Sequence, residues 1–244
     1  MDRRILGLIA TAMECCQGGR SRGRGHPPAS TVRMLATLRV FLREGTPWRS
    51  FRATAEQASG STLGRCLTAW SRTALLGRVH ALLVRMLRGH PDLILDSCSV
   101  RAKRGGDLTG PNPTDRAKKG IKHHVATTRD GLTLACAVTG ASVADTILFE
   151  CLFLAAFAAL ARIRTVLADK GYDAERQRGL CRAWRPTHIH KRGRAPTSGL
   201  GKRRWPVERT NAWLLENRQL FEGAFYCCKG SQRSRARRSA PGSG

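Results

Sequence analysis

The apolar positions of this chain follow two regimes that change near Pro91. Before it the spacing is helical. Ser30 or Thr31 can cap a helix whose Leu35, Leu38, Phe41 and Leu42 share one face and which ends at Gly45. A second helix is expected from Ser61 or Thr62, with Leu63, Cys66, Leu67 and Trp70 at i, i+3, i+4 and i+7 and with Arg65 and Arg72 on the opposite face. A third runs through Leu75, Val79, Leu82, Leu83 and Met86 and stops near Gly89. Three short helices with glycine-containing joints fit either a helix-turn-helix-like module or a plain bundle packed on the next domain, and no residue marks a recognition helix.

After Pro91 the pattern changes to strands. Asp92–Val100 reads as a strand and residues 101–120 as a long basic loop. Lys122–Thr128 and Leu132–Thr139 flank Arg129-Asp130-Gly131, a hairpin signal. An apolar helix over Ile147–Ala161, too short to span a bilayer, precedes a strand over Thr165–Ala168 that ends at Asp169. A short helix at about 174–184, a strand at His188–His190, a basic loop at 191–202 and a helix from Glu208 to Leu220 complete the order. The predicted class is α/β: a mixed sheet with flanking helices, preceded by a small all-α module. The expected organisation is a flexible basic segment over 1–30, the helical module over 31–89, the α/β domain over 90–222, and a disordered basic tail over 223–244.

Charge narrows the function. Lys and Arg number 43 against 17 Asp and Glu, a formal net charge of +26. Such a chain needs a polyanion, with nucleic acid ahead of a membrane surface because no long basic amphipathic helix dominates. Nine cysteines lack any C-x-x-C pair, and the doublets Cys15-Cys16 and Cys227-Cys228 are poorly spaced for zinc. Cys66, Cys98, Cys136 and Cys151 read as small buried hydrophobes in a reducing cytoplasm. Arg3-Arg4 ahead of Ile5–Ile9 imitates a secretion signal, but the apolar stretch is short, and the cytoplasm remains the expected location.

In so basic a chain, acids at the ends of elements stand out. Asp96 and Asp169 each close a short apolar strand pattern, and Glu208 opens the last helix pattern. Taken singly, each has a plainer role: Asp96 capping a turn, Asp169 pairing with Lys170 or an arginine, Glu208 meeting a helix dipole. Asp107, Asp115, Asp145 and Asp173 are the competing acids, with Asp115 suited to orienting its loop and Asp173 to capping the next helix. Three carboxylates brought together repel one another unless a cation sits between them, and hard oxygen donors suit Mg²⁺. Arg204 falls either on the helix face of Glu208 or just before the helix, depending on whether Pro206 occupies the first turn. Arg209, between Trp205 and Trp213 at i−4 and i+4, is placed to stack on them. Adjacent His123 and His124 should point to opposite faces, one of them buried. Lys103, Arg104, Arg116, Lys118, Lys119, Lys191, Arg192, Arg194, Lys202 and Arg203 crowd two loops and suit phosphate contacts.

Four blocks carry a family resemblance: Asp96-Ser97-Cys98-Ser99-Val100-Arg101-Ala102, Gly105–Arg116, Ala168-Asp169-Lys170-Gly171-Tyr172-Asp173, and Arg204-Trp205-Pro206-Val207-Glu208-Arg209-Thr210. In this order they resemble the DDE transposases of bacterial insertion sequences, over about residues 35–220. The resemblance implies an RNase H-like catalytic domain with Asp96, Asp169 and Glu208 as the catalytic, metal-binding acids. It implies two Mg²⁺ ions (or Mn²⁺), strand cleavage at element ends and strand transfer to target DNA. Double-stranded DNA is the implied partner, with a homo-oligomer on DNA and no membrane. Arg65, Arg72, Lys103, Arg104, Arg116, Lys118, Lys119, Lys202, Arg203, Arg204 and Arg209 are the expected DNA contacts. Gly201 and Leu215 replace the family's tyrosine and lysine around Glu208, and after Leu220 the pattern departs into an Arg/Ser/Gly tail that resembles a truncated or frameshifted end. A DNA-binding remnant without catalysis, or a nuclease on the same fold, are the alternatives.

Overall fold

The computed structural model describes residues 3–17, 29–45, 50–87, 89–102, 109–160, 163–184, 187–189 and 200–216. The first helices are α1 (Arg3–Gln17), α2 (Thr31–Glu44), α3 (Gly60–Arg72) and α4 (Leu75–Leu87). Helix α1 falls inside the segment expected to be flexible. It folds because Leu6, Ala10 and Met13 form a stripe that buries against the other helices, together with Met34, Phe41, Leu63, Trp70, Leu75 and Val79. Ser30 caps α2, its Oγ accepting from the Arg33 amide, and Gly45 ends it in the left-handed region at φ 67°. The cap of α3 is Ser59, earlier than the expected Ser61 or Thr62. Met86, expected to face inward, is 69% exposed. His80 Nε2 lies 2.8 Å from the Thr133 carbonyl and ties α4 to the sheet.

Six strands form one sheet: β1 (Asp92–Arg101), β2 (Gly110–Pro111), β3 (Lys119–Thr128), β4 (Thr133–Gly140), β5 (Thr165–Ala168) and β6 (Thr187–Ile189). β3 runs antiparallel to β1 on one edge and to β4 and β2 on the other. β5 lies parallel to β1, and β6 parallel to β5. Asp130 and Gly131, the latter at φ 87°, make the β3–β4 turn as expected. An antiparallel meander extended by parallel strands, with helices on both faces, is the RNase H-like mixed sheet.

Both faces of the centre are covered, which is why Leu93-Ile94-Leu95 is a continuous apolar run. Leu93, Leu95, Ala126, Val166 and Ala168 pack under α5 (Asp145–Ala159), whose Phe149, Leu152, Phe153 and Ala156 are buried. Each of the leucine, valine and phenylalanine side chains among these contributes roughly 1.5–3 kcal/mol. Ile94, Val125 and Leu167 face the other way and meet Val207 of α7 (Leu200–Leu215). This double cover also buries both His123 and His124, where only one was expected to be inside. Helix α5 is apolar all round, so its outer residues Ile147 and Leu154 are exposed. Cys136 and Cys151, expected inside, are exposed as well, and Cys66 and Cys98 are half-buried. Among the described residues no helix is long and apolar enough to cross a membrane.

Candidate active site

Parallel register sets the first two acids side by side. Leu95 pairs with Ala168, so Asp96, midway along β1, and Asp169, just past the end of β5, are the next residues on neighbouring segments and share the α7 face. Asp96 is largely enclosed, with 14% of its side chain exposed, whereas half of Asp169 is exposed. Helix α7 lies across them. It starts at Leu200 and carries Pro206 in its interior, which puts Arg204 and Glu208 on one helical face. Buried Val207 fastens that face to the sheet.

Arg204 bridges the two aspartates. Its Nη2 donates to Asp96 Oδ1 at 2.9 Å, and its Nη1 lies 3.4 Å from Asp169 Oδ1. Asn211 Nδ2 donates to Asp96 Oδ2 at 3.1 Å. Arg204, Glu208 and Asn211 are spaced i, i+4, i+7, so one face of α7 supplies the site. Burial pushes the Asp96 carboxyl above the usual range; the Arg204 charge and the Ser97 amide oppose this, and the nearby charges of Asp169 and Glu208 add to the rise. Glu208 itself is exposed.

Among the described residues no three His, Cys, Asp or Glu side chains stand within reach of one metal ion. Arg204 supplies the positive charge between Asp96 and Asp169 instead. The donor chemistry nonetheless suits a hard divalent cation: all three acids offer only oxygens, and Asp96 responds to the charge of the other two.

The expected phosphate contacts divide into several groups. Arg65, Arg72, Arg116, Lys118 and Lys119 are exposed. Lys103, Arg104, Lys191, Arg192 and Arg194, and the side chains of Lys202 and Arg203, lie outside the described residues. Arg209 stacks between Trp205 and Trp213, its guanidinium 4.4 and 4.7 Å from their ring centroids, and its Nη2 crowds the space above Gly131 in the β3–β4 turn. The loop before β3 is built firmly. Asp115 forms a two-pronged pair with Arg101, Asn112 Oδ1 accepts from the Thr114 amide and hydroxyl, and Arg116 and Ala117 take φ of 50° and 56°. Asp173 pairs with Arg178 of α6 (Glu175–Trp184).

A family model for the transposase DDE domain matches residues 87–230. The chain belongs to the DDE transposase family. A Burkholderia cepacia protein assigned as the transposase for insertion sequence element IS402 is 41% identical over 187 residues, spanning 67% of this chain and 85% of that protein. A second Burkholderia cepacia relative, an uncharacterised 16.2 kDa protein of the same element, is 30% identical over 118 residues, 46% of this chain and 80% of its own length. A solved piggyBac transposase synaptic complex with hairpin DNA overlaps at a TM-score of 0.37 and 12% identity, over 79% of this chain and 42% of that one. An overlap that loose does not bear on function. Family membership makes this chain an insertion-sequence type transposase, an enzyme class acting on DNA.

Asn211 was not singled out in the sequence. Its signal is the spacing of three polar residues on one face of a helix otherwise anchored by Val207. Asp145 was noted only as a competing acid; nothing local in the sequence pairs it with a residue in a distant strand.

Proposed function

We propose that this transposase cuts DNA at the ends of its element and joins the freed 3′ ends to target DNA, using Asp96, Asp169 and Glu208. The observation that carries the proposal is the side-by-side placement of Asp96 on β1 and Asp169 just after the parallel β5, bridged by one guanidinium from the helix that bears Glu208. Divalent ions held by the oxygens of these three side chains would neutralise charge on the scissile phosphate and lower the pKa of the attacking water. The chain's own contribution is orientation. Asn211 fixes the Asp96 carboxylate by holding Oδ2, and Val207 holds α7 against the sheet. Arg204, a planar fork suited equally to carboxylate and phosphate, exchanges its aspartate contacts for the incoming strand. The exposed Arg116, Lys118 and Lys119 bind the DNA backbone and confer affinity without sequence discrimination. Double-stranded DNA, both element ends and target, is the partner; copies of the chain pair on it, and the work is done in the cytoplasm.

The test is strand cleavage of a duplex carrying the element's own terminal repeats, in Mg²⁺. Asp96→Asn, Asp169→Asn and Glu208→Gln should each reduce cleavage by ~100-fold or more while DNA retention persists. Undiminished cutting by Asp96→Asn removes the proposal.

A further inference from the structure

Behind Asp96, on the face of the sheet turned toward α5, lies a polar cluster centred on Asp145. Asp145 is the first residue of α5, where the helix dipole favours a negative charge. Its Oδ1 accepts from Ser97 Oγ at 2.8 Å and from Lys122 Nζ at 3.1 Å. Lys122 Nζ also donates to the Val143 carbonyl at 2.9 Å, so β3 is fastened to the start of α5 as well. The other oxygen, Oδ2, occupies the space above Gly171: a Cβ on that residue would come within 2.5 Å of it. Gly171 lies in the 3-10 turn Lys170–Tyr172 that follows Asp169 directly. Tyr172, next in the turn, is buried against Phe149 of α5, with ring centroids 6.0 Å apart.

One carboxylate therefore touches the residue after Asp96 and the second residue after Asp169. These two segments are joined by backbone pairing only as far as Leu95 and Ala168; beyond that register no ladder holds them together. A charged group shared by both, backed by Lys122, takes over where the ladder ends. Oδ1 carries two hydrogen bonds and Oδ2 packs over Gly171, both on the far side of the sheet from Arg204, so Asp145 acts on the acids through the backbone rather than by joining them.

We infer that Asp145 is the positioning residue of the carboxylate site, clamping β1 to the turn after β5 and so setting the separation of Asp96 and Asp169. The inference rests on reading those two acids as ion ligands. It also accounts for glycine at 171, since any side chain there displaces the Asp145 carboxylate.

The test is Mn²⁺ binding by the full chain, followed as loss of the free-ion paramagnetic resonance signal, at a temperature where circular dichroism shows every variant folded. This needs no turnover. Asp145→Ala and Gly171→Ala should weaken Mn²⁺ binding by about 10–100-fold, as loss of groups that orient metal ligands generally does. Ser97→Ala should weaken it in the same direction, and Asp145→Asn, which keeps an acceptor of the same shape, should retain more affinity than Asp145→Ala. Gly171→Ala removes no polar group, so its effect separates displacement of the clamp from loss of a charge. Asp96→Asn is the control. If Asp96→Asn loses the ion while Asp145→Ala and Gly171→Ala bind as wild type does, the positioning role is wrong and the carboxylate site stands. If wild type binds no Mn²⁺, or Asp96→Asn binds it equally well, the carboxylate site itself is wrong and the clamp falls with it.

Discussion

Acidification should destabilise this fold through His124. The ring is fully buried on β3, and its Nε2 lies 2.8 Å from Thr139 Oγ1. That hydroxyl donates to the Gly140 carbonyl, so it accepts from Nε2–H and leaves the lone pair on Nδ1. Among the described residues Nδ1 has no hydrogen-bond partner; Asp145 Oδ1 is 3.8 Å away. Burial drives the imidazole pKa down from 6.5 to about 4; Asp145 pulls it upward, and the charges of Lys122 and His123 push it down further. The sign follows from which state takes the proton first. Unfolded chains bind it near 6.5, the folded chain only near 4, so stability is intact above the first value and declines as pH falls toward the second. At ~1.4 kcal/mol per tenfold change in proton affinity, the loss is about 3 kcal/mol. Urea unfolding across this pH range, for wild type and His124→Gln, isolates the effect, because other titrating groups are common to both. Wild type should lose about 3 kcal/mol relative to the variant by pH ~4. A difference between the two that stays constant with pH refutes the burial argument.

Two further outcomes follow from the loop before β3. Ala117, at φ 56°, holds a conformation that a Cβ disfavours, and its amide donates to the Asn112 carbonyl at 3.0 Å; Ala117→Gly should therefore be neutral or stabilising by up to ~1 kcal/mol, read as a small rise in unfolding temperature. Lys118→Ala and Lys119→Ala should each weaken DNA binding uniformly across sequences and lower the magnitude of the slope of log affinity against log salt by about one, measured by filter retention at several salt concentrations.

The sheet and its helices were legible because burial on both faces leaves an unmistakable run at Leu93-Ile94-Leu95 and a three-residue apolar stretch, Val166-Leu167-Ala168, before Asp169. Four motif blocks in order directed attention to Asp96, Asp169 and Glu208, but the contacts of these acids in space were not legible. Pro206 suggested a helix start that the chain does not use, and Arg204 sits between the aspartates because α7 begins earlier, at Leu200. Helix α1 escaped notice because its stripe of Leu6, Ala10 and Met13 is narrow and the following residues 18–28 are rich in Gly and Arg. Helix α5 has no polar face, so periodicity could not say that Ile147, Cys151 and Leu154 point outward. Asp145 depends on a contact with Ser97 made across 48 positions, which no local pattern encodes.

Arg204 and Asp96 are 108 positions apart, and the helix carrying the arginine is the last described element to be made. During synthesis the segments bearing both aspartates leave the ribosome before α7 does. At that stage Asp96 faces solvent with neither guanidinium nor amide against it, and Val207 has not yet covered Ile94, Val125 and Leu167. A half-made chain therefore carries Asp96 and Asp169 without the helix that arranges them, and Asp96 gains its guanidinium and amide partners only once α7 docks.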